Sequence, residues 1–459
     1  MQLATQKSGP RLFGTSGVRG VVGKDLSYPL LWELGKAIAT SLPAHSKVVV
    51  ATDSRESKDT VKTLVETGLM ESGVDVIDVG ILPTPALAFV TVDMKMDTGV
   101  MVTASHNPPE YNGIKLFTEG GIGYSPDQER KIEQLYAAKD FRSGIGGSFR
   151  REPDLKQRYI SYLTKTVNGQ KISRKFKVVI DPGNGAASGL ASELFAACGF
   201  DTFPINDVTD GQFPGRSPEP KEETLRETFA FLKSKQADLA ICFDGDADRV
   251  VFLDEQGFVG FTESITFMSA LAVRSTGKKR VAATVETGKL LDIALADMGV
   301  EVVRGRVGDV SVAYLAREID AAIGVEPVGV YIIPELGFYP NSFAAALKLL
   351  SSINDVAELR RFFSRVPRLV FGQKKIPCPN HQKDELMRRV QDNAPLFGSG
   401  TVNLIDGLRV DYKNSWILVR PSGTEPIFRI IAESPTEAET RQLLEDAAII
   451  VRRLTRGRG

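Results

Sequence analysis

The run Thr103-Ala104-Ser105-His106-Asn107-Pro108 puts a serine hydroxyl in a short polar loop, and Lys115 follows ten residues on, past a turn-forming Asn112-Gly113. Ser105 and His106 are adjacent, and adjacent side chains splay apart, so the pair lacks the converging geometry of a hydrolase dyad. Far along the chain Asp244, Asp246 and Asp248 crowd three carboxylates into five residues. Like charges packed so tightly repel unless a cation binds or protons are taken up, and hard oxygen ligands suit Mg²⁺. A solvated acidic turn, a calcium EF-hand and an aspartyl-phosphate nucleophile are the rival readings. The EF-hand fails because Arg249 occupies the position that needs glycine. The third aspartate and the separate serine loop favour a metal site over an aspartyl nucleophile. A third run, Arg420-Pro421-Ser422-Gly423-Thr424-Glu425-Pro426 with Arg429 beyond it, has the composition of a phosphate clamp. Arginine grips phosphate bidentately, the hydroxyls donate, and glycine lets backbone N–H groups approach. A proline-bounded hairpin is the plainer alternative for that loop. Together the three runs describe a serine that carries a phosphoryl group.

Alternating helices and short apolar strands must position these groups. Lys47 to Ala51, Val74 to Val79 and Gly99 to Val102 read as strands, with helices over Leu30 to Ser41, Ser57 to Ser72 and Pro126 to Ala138. Such alternation implies a mainly parallel sheet, with ligands bound beyond the carboxyl ends of its strands. Ser105 falls at one such end. The strand Ala237 to Phe243 delivers the aspartates, and Val250 to Glu255 returns as its partner. Before all of these, Arg11 to Gly20, holding Thr15, Ser16 and Arg19, reads as a flexible loop able to approach an anion. The last helix is expected to open at Ser434 as N-cap, with Glu437 closing a capping box. Its buried stripe is Leu443, Ala447, Ile450, Val451 and Leu454.

The 459 residues are too many for one core. The expected divisions are residues 1–153 with the serine loop, 154–255 with the aspartates, 256–366, and 367–459 with the clamp. Hydrophobic residues make up 42%, charged residues 25%, and the formal net charge is zero. Nothing here argues for a nucleic-acid or membrane partner. Three scattered cysteines, Cys198, Cys242 and Cys378, do not read as a disulfide framework, which fits a reduced, cytoplasmic location.

Ser105 in TASHNP, the DGDADR loop, RPSGTEP and the early FGTSGVRG together resemble the α-D-phosphohexomutase superfamily, in family order over nearly the whole chain. The resemblance implies an α/β fold of four domains around a central cleft: three related mixed-sheet α/β domains and a smaller α+β C-terminal one. It implies Ser105 as the phosphoserine and, with Asp244, Asp246 and Asp248, a ligand of one Mg²⁺. Lys115 would be a general acid/base, and His106, Arg19 and Arg249 would complete the catalytic set. Arg420, Ser422, Gly423, Thr424 and Arg429 would hold the phosphate that is not reacting, with Arg306 and Asp309 in a sugar-contacting stretch. The implied activity is a phosphosugar mutase of the phosphoglucomutase/phosphomannomutase type, working through a sugar bisphosphate as monomer or homodimer. Phosphoglucosamine mutase and phosphopentomutase are alternatives within the family. A non-catalytic sugar-phosphate-binding paralogue and a metal-dependent phosphatase lie outside that activity.

One stretch departs from the family. Its sugar loop reads roughly Gly-Glu-x-Ser-Gly-His, whereas this chain has Gly324-Val325-Glu326-Pro327-Val328-Gly329-Val330. Glu326 survives as a partner for two sugar hydroxyls. Val328 and Val330 replace the serine and histidine, and Asn341-Ser342 stands where Asp-Gly is expected. Loss of polar partners from a loop that pairs with hydroxyls alters which sugar it selects.

Overall fold

The computed structural model describes residues 12–14, 17–144, 146–168, 175–423 and 425–456. They form two compact units, one of residues 1–259 with 329–356, the other of residues 260–328 with 357–459.

The first unit is built on two sheets. Six strands lie in the order Val18–Val21, Tyr111–Thr118, Thr98–Val102, Lys47–Thr52, Asp75–Ile81, Phe149–Arg151. The Thr98, Lys47, Asp75 and Phe149 strands run parallel, while Tyr111–Thr118 pairs antiparallel with both its neighbours. Val48 to Val50 and Val100 to Val102 are fully buried, as expected for strands covered on both faces. Thr98–Val102 ends at the serine loop. The second sheet orders Gly257–Phe258, Val250–Asp254, Leu239–Phe243, Lys177–Asp181 and Asp201–Pro204. The wholly buried Leu239–Phe243 delivers the aspartates, and Val250–Asp254 returns antiparallel, as its apolar run predicts. In the second unit Glu301–Gly305, Arg280–Thr284 and Ile323–Glu326 form parallel neighbours. A five-stranded antiparallel sheet, Val370–Pro377, Ile427–Ser434, Trp416–Pro421, Leu408–Asp411 and Thr401–Asn403, carries the clamp loop. The three cysteines are free and buried.

Three local expectations are corrected. Asn112-Gly113 is not a turn but part of the strand Tyr111–Thr118, with Asn112 fully buried. Glycine is needed there for close approach: a Cβ on Gly113 would lie 2.3 Å from the Val18 carbonyl oxygen and 2.8 Å from that of Thr103. Arg19 sits on a strand paired with Gly113 rather than in a flexible loop, while Arg11, Thr15 and Ser16 lie outside the described residues. Ser434 ends a strand, its hydroxyl bound to the Thr436 carbonyl and the Thr440 hydroxyl. The last helix, Glu437–Arg456, is capped instead by Thr436, whose Oγ1 accepts from the Glu439 amide at 3.2 Å. Its buried stripe holds Leu444 and Ala448 beside the expected Ala447 and Val451, with Leu443, Ile450 and Leu454 partly buried at its margin.

Candidate active site

Ser105 is fully buried and turns the chain with φ 51, a left-handed conformation uncommon outside glycine. Its amide donates to Thr103 Oγ1 at 2.8 Å, and that hydroxyl donates to Asp53 Oδ2 at 2.6 Å. So turned, Ser105 Oγ donates to Asp244 Oδ2 at 2.6 Å, joining serine and acidic loops across 139 residues of sequence. The same turn defeats the expectation that Ser105 and His106 splay apart: Oγ and His106 Nδ1 lie 3.2 Å from each other. Burial first, then the charges of Arg249, Arg19 and Lys115, pushes the His106 pKa down to about 2. The imidazole is therefore neutral at physiological pH.

The DGDADR loop gathers its acids as the spacing implied. One ligand oxygen from each of Asp244, Asp246 and Asp248 lies within 4.8 Å of the others, and all three residues are buried. The Lys115 ammonium donates to Asp246 Oδ2 at 2.8 Å and to Asp248 Oδ2 at 2.5 Å. Thr84 Oγ1 adds a bond to Asp246 Oδ2 at 2.6 Å, and nothing in the sequence singled it out. Burial, then Asp248 and Asp246, raises the Asp244 carboxyl well above its usual range. Asp246 is also desolvated, but the Lys115 ammonium and the Lys115 and Thr84 hydrogen bonds hold its carboxyl low. Asp246 Oδ1 and Asp248 Oδ1 are buried with no hydrogen-bond donor among the described residues. Arg249 Nε stands 3.8 Å from Asp248 Oδ1, and Arg19 Nη1 donates to Asn107 Oδ1 at 3.1 Å. Three carboxylates against a single ammonium, with two oxygens left undonated, make a place for a divalent cation.

In the second unit Glu326, 6% exposed, accepts from the Gly308 amide at 2.8 Å. Gly308 is followed by Asp309, which opens the helix Asp309–Glu318, and Arg306 stands exposed two residues before Gly308. Arg420 Nη1 donates to Glu286 Oε1 at 2.7 Å, and its Nη2 lies 3.4 Å from Asp406 Oδ2. Arg429 Nη2 donates to Glu425 Oε2 at 2.8 Å. The buried Lys383 ammonium holds the clamp loop from behind through the Ser422 and Glu425 carbonyls, each at 2.6 Å. Ser422 Oγ accepts from the Glu425 amide, Gly423 follows in the bend, and Thr424 lies outside the described residues. Lys383, Glu286 and Asp406 were not foreseen, being distant residues without a motif. A cavity of about 290 Å³ is lined by Arg429 and Glu286 together with Pro327, Val328, Phe261 and Phe371. It brings the altered sugar loop and a clamp arginine to one space.

Four family models match the chain in succession. They are described as phosphoglucomutase/phosphomannomutase alpha/beta/alpha domains I, II and III, over residues 10–143, 157–257 and 263–365, and the C-terminal domain, over 374–450. A probable phosphoglucosamine mutase of Methanothermobacter thermautotrophicus is 40% identical over 443 residues, covering 95% of this chain and 96% of that one. A phosphoglucosamine mutase of Methanococcus vannielii is 34% identical over 450 residues, 96% and 98% of the two chains. Among solved structures, a phosphoglucomutase/phosphomannomutase family protein from Burkholderia thailandensis superposes with TM-score 0.86 at 27% identity, over 97% of this chain and 98% of that one.

Proposed function

Because this chain belongs to the phosphoglucomutase/phosphomannomutase family and is a phosphosugar mutase, an intramolecular phosphotransferase, we propose that it interconverts glucosamine 6-phosphate and glucosamine 1-phosphate through phosphoserine at Ser105 and a sugar bisphosphate. The observation that carries the mechanism is the 2.6 Å bond from Ser105 Oγ to Asp244, in a loop whose other two acids, Asp246 and Asp248, Lys115 bridges. The choice of amino sugar rests on the names of relatives aligned along nearly their whole length.

Phosphoryl transfer asks for positioning and for neutralised oxygen charge. Asp244, Asp246 and Asp248, with an oxygen on Ser105, would hold one Mg²⁺, and the two undonated aspartate oxygens fit it. Bound there, the ion neutralises charge on the transferring group. The chain's own residues do the rest. Ser105 lends its phosphoryl group to the free hydroxyl of a sugar monophosphate and recovers the other one from the resulting bisphosphate. Lys115, steadied by two carboxylates, is the general acid/base, and neutral His106, its Nδ1 3.2 Å from Oγ, helps hold the hydroxyl in place. Arg249 and Arg19 supply positive charge around the serine loop. Arg420, Ser422, Gly423, Thr424 and Arg429 grip the spectator phosphate, while Glu326, with Arg306 and Asp309, binds the sugar.

The test has two parts. Incubation with glucosamine 1,6-bisphosphate and Mg²⁺ adds one phosphoryl group to the intact protein, and peptide mapping places it on Ser105. A panel of glucosamine, glucose, mannose and pentose 1-phosphates then gives the highest kcat/KM with glucosamine. Binding without phosphoryl gain or turnover would make the protein a sensor, and release of inorganic phosphate without isomerisation would make it a phosphatase. Either result overturns the reading.

A further inference from the structure

Arg55 is fully buried three residues beyond the strand Lys47–Thr52, and all five of its guanidinium N–H groups are committed. Nε donates to Asp53 Oδ2 at 3.0 Å, and Nη1 donates to the carbonyls of Pro108 at 2.5 Å and Tyr111 at 2.9 Å. Nη2 donates to the carbonyls of Ser105 at 2.9 Å and Asn107 at 2.6 Å. One side chain thus pins the serine loop at four carbonyls. Arg216 does the like behind the acidic loop. Its Nε donates to Asp181 Oδ2 at 2.8 Å, and its Nη2 to the carbonyl of Phe243, the residue before Asp244, at 2.7 Å. In both places a buried aspartate at a strand end also accepts from a threonine at 2.6 Å, Thr103 on Asp53 and Thr228 on Asp181.

With its edge saturated, the Arg55 guanidinium has only its faces left, and one is covered by the ring of Phe213, 5.3 Å from ring centroid to Cζ. Phe213 is 5% exposed and held at φ 53, a costly conformation for a bulky residue that persists only where its surroundings enforce it. The segment carrying it is wedged: a Cβ on Gly211 would lie 2.3 Å from the Glu56 amide nitrogen and 2.7 Å from the Arg55 carbonyl carbon. Three residues after Phe213 comes Arg216. At the far end, the two loops abut without room for a side chain, since a Cβ on Gly245 would lie 2.5 Å from the Ser105 carbonyl oxygen. We propose that Phe213 is a positioning residue: by seating on Arg55 while Arg216 grips the acidic strand, the Gly211–Arg216 segment fixes how far Ser105 stands from Asp244. This rests on the mutase reading above, because the separation matters only if a phosphoryl group passes there.

The experiment compares wild type with Phe213→Ala, Phe213→Leu and Phe213→Tyr, full-length and with Mg²⁺. A displacement of about 1 Å costs roughly 10²-fold in rate. F213A should therefore lose roughly that factor in kcat and in the rate of phosphoserine formation, with KM for the phosphosugar within about twofold of wild type. Calorimetric Mg²⁺ affinity should weaken in the same variant. F213L should fall between, and F213Y, which keeps the aromatic face, should restore the wild-type values. Should F213A not fold, as thermal unfolding would reveal, the contrast between F213L and F213Y decides. Wild-type rates and Mg²⁺ affinity in F213A or F213L, or rate losses that merely follow the folded fraction, would overturn the proposal. A wild-type protein that takes up no phosphoryl group refutes the mutase reading instead.

Discussion

Replacing Lys115 by methionine removes the positive charge from the centre of the acidic cluster while keeping most of the side-chain length. Lys115 is 5% exposed and bonds two buried carboxylates, so its loss strands both charges in a medium that solvates them poorly. Removing one partner of a buried ion pair costs about 3–5 kcal/mol. At roughly 2 °C of melting temperature per kcal/mol for a large unit, the chelated variant should melt roughly 6–10 °C below wild type. Mg²⁺ should act in the opposite sense. Lys115 competes with any cation for Asp246 Oδ2 and Asp248 Oδ2, so removing it deepens the negative potential there. The Mg²⁺-induced rise in melting temperature should accordingly be larger in K115M than in wild type, although K115M loses turnover. Scanning calorimetry with chelator and with saturating Mg²⁺ measures both quantities. An unchanged melting temperature in chelator, or a smaller Mg²⁺ response in the variant, would refute the charge accounting.

Ser105→Ala should leave the protein folded and abolish phosphoryl uptake from a sugar bisphosphate, as read by intact mass. Arg420→Lys replaces a planar fork by a point charge, and losing one charge-assisted bond should raise KM for the phosphosugar at least about tenfold in steady-state kinetics. Glu66→Gln tests a buried carboxyl away from the serine loop, whose pKa burial and the Asp78 charge raise to about 7. Between the unfolded value near 4.5 and 7 the folded state holds a proton that the unfolded state has lost, so stability falls as pH rises through that window. The glutamine variant should match wild type near pH 4.5 and melt several degrees higher at pH 8, as pH-dependent calorimetry would show.

The chemistry-bearing loops were legible because each is a dense run of unlike residues whose types admit few uses. Three aspartates in five positions need a counter-charge wherever the chain puts them, and the structure supplies Lys115 from 131 residues away. The strand Leu239–Phe243 was readable because a run of apolar residues stands between turn residues. Asn112-Gly113 misled because the dipeptide is a hairpin signal on local grounds. Here the glycine answers to the backbones of Val18 and Thr103, which no local rule sees. Ser434 misled in the same manner, its side chain taken by the Thr436 carbonyl and the Thr440 hydroxyl while the helix begins at Glu437. Thr84, Arg55 and Lys383 carry no motif, and their use appears only when distant carbonyls or carboxylates converge on them.

The altered sugar loop follows a different logic from the intact catalytic loops. Beside Ser105 the Lys115 ammonium is tied to Asp246 and Asp248 by short bonds, so an exchange of Asp246 or Lys115 would leave a buried charge unmatched, at a cost of several kcal/mol. Val328 carries no such debt. It is partly exposed beside Pro327, on a cavity whose wall already includes Phe261 and Phe371. Exchanging a hydroxyl there for methyl groups strands no partner, and it makes that stretch of wall more apolar while Glu326 keeps its bond to the Gly308 amide. The phosphoryl-transfer machinery therefore resists piecemeal change, whereas the surface that meets the sugar can drift without destabilising the fold. Selectivity should accordingly respond to Val328→Ser as a shift in relative kcat/KM between sugar phosphates, with the rate of Ser105 phosphorylation from a bisphosphate left within about twofold. A parallel collapse of both would place Val328 in the transfer machinery and break the distinction.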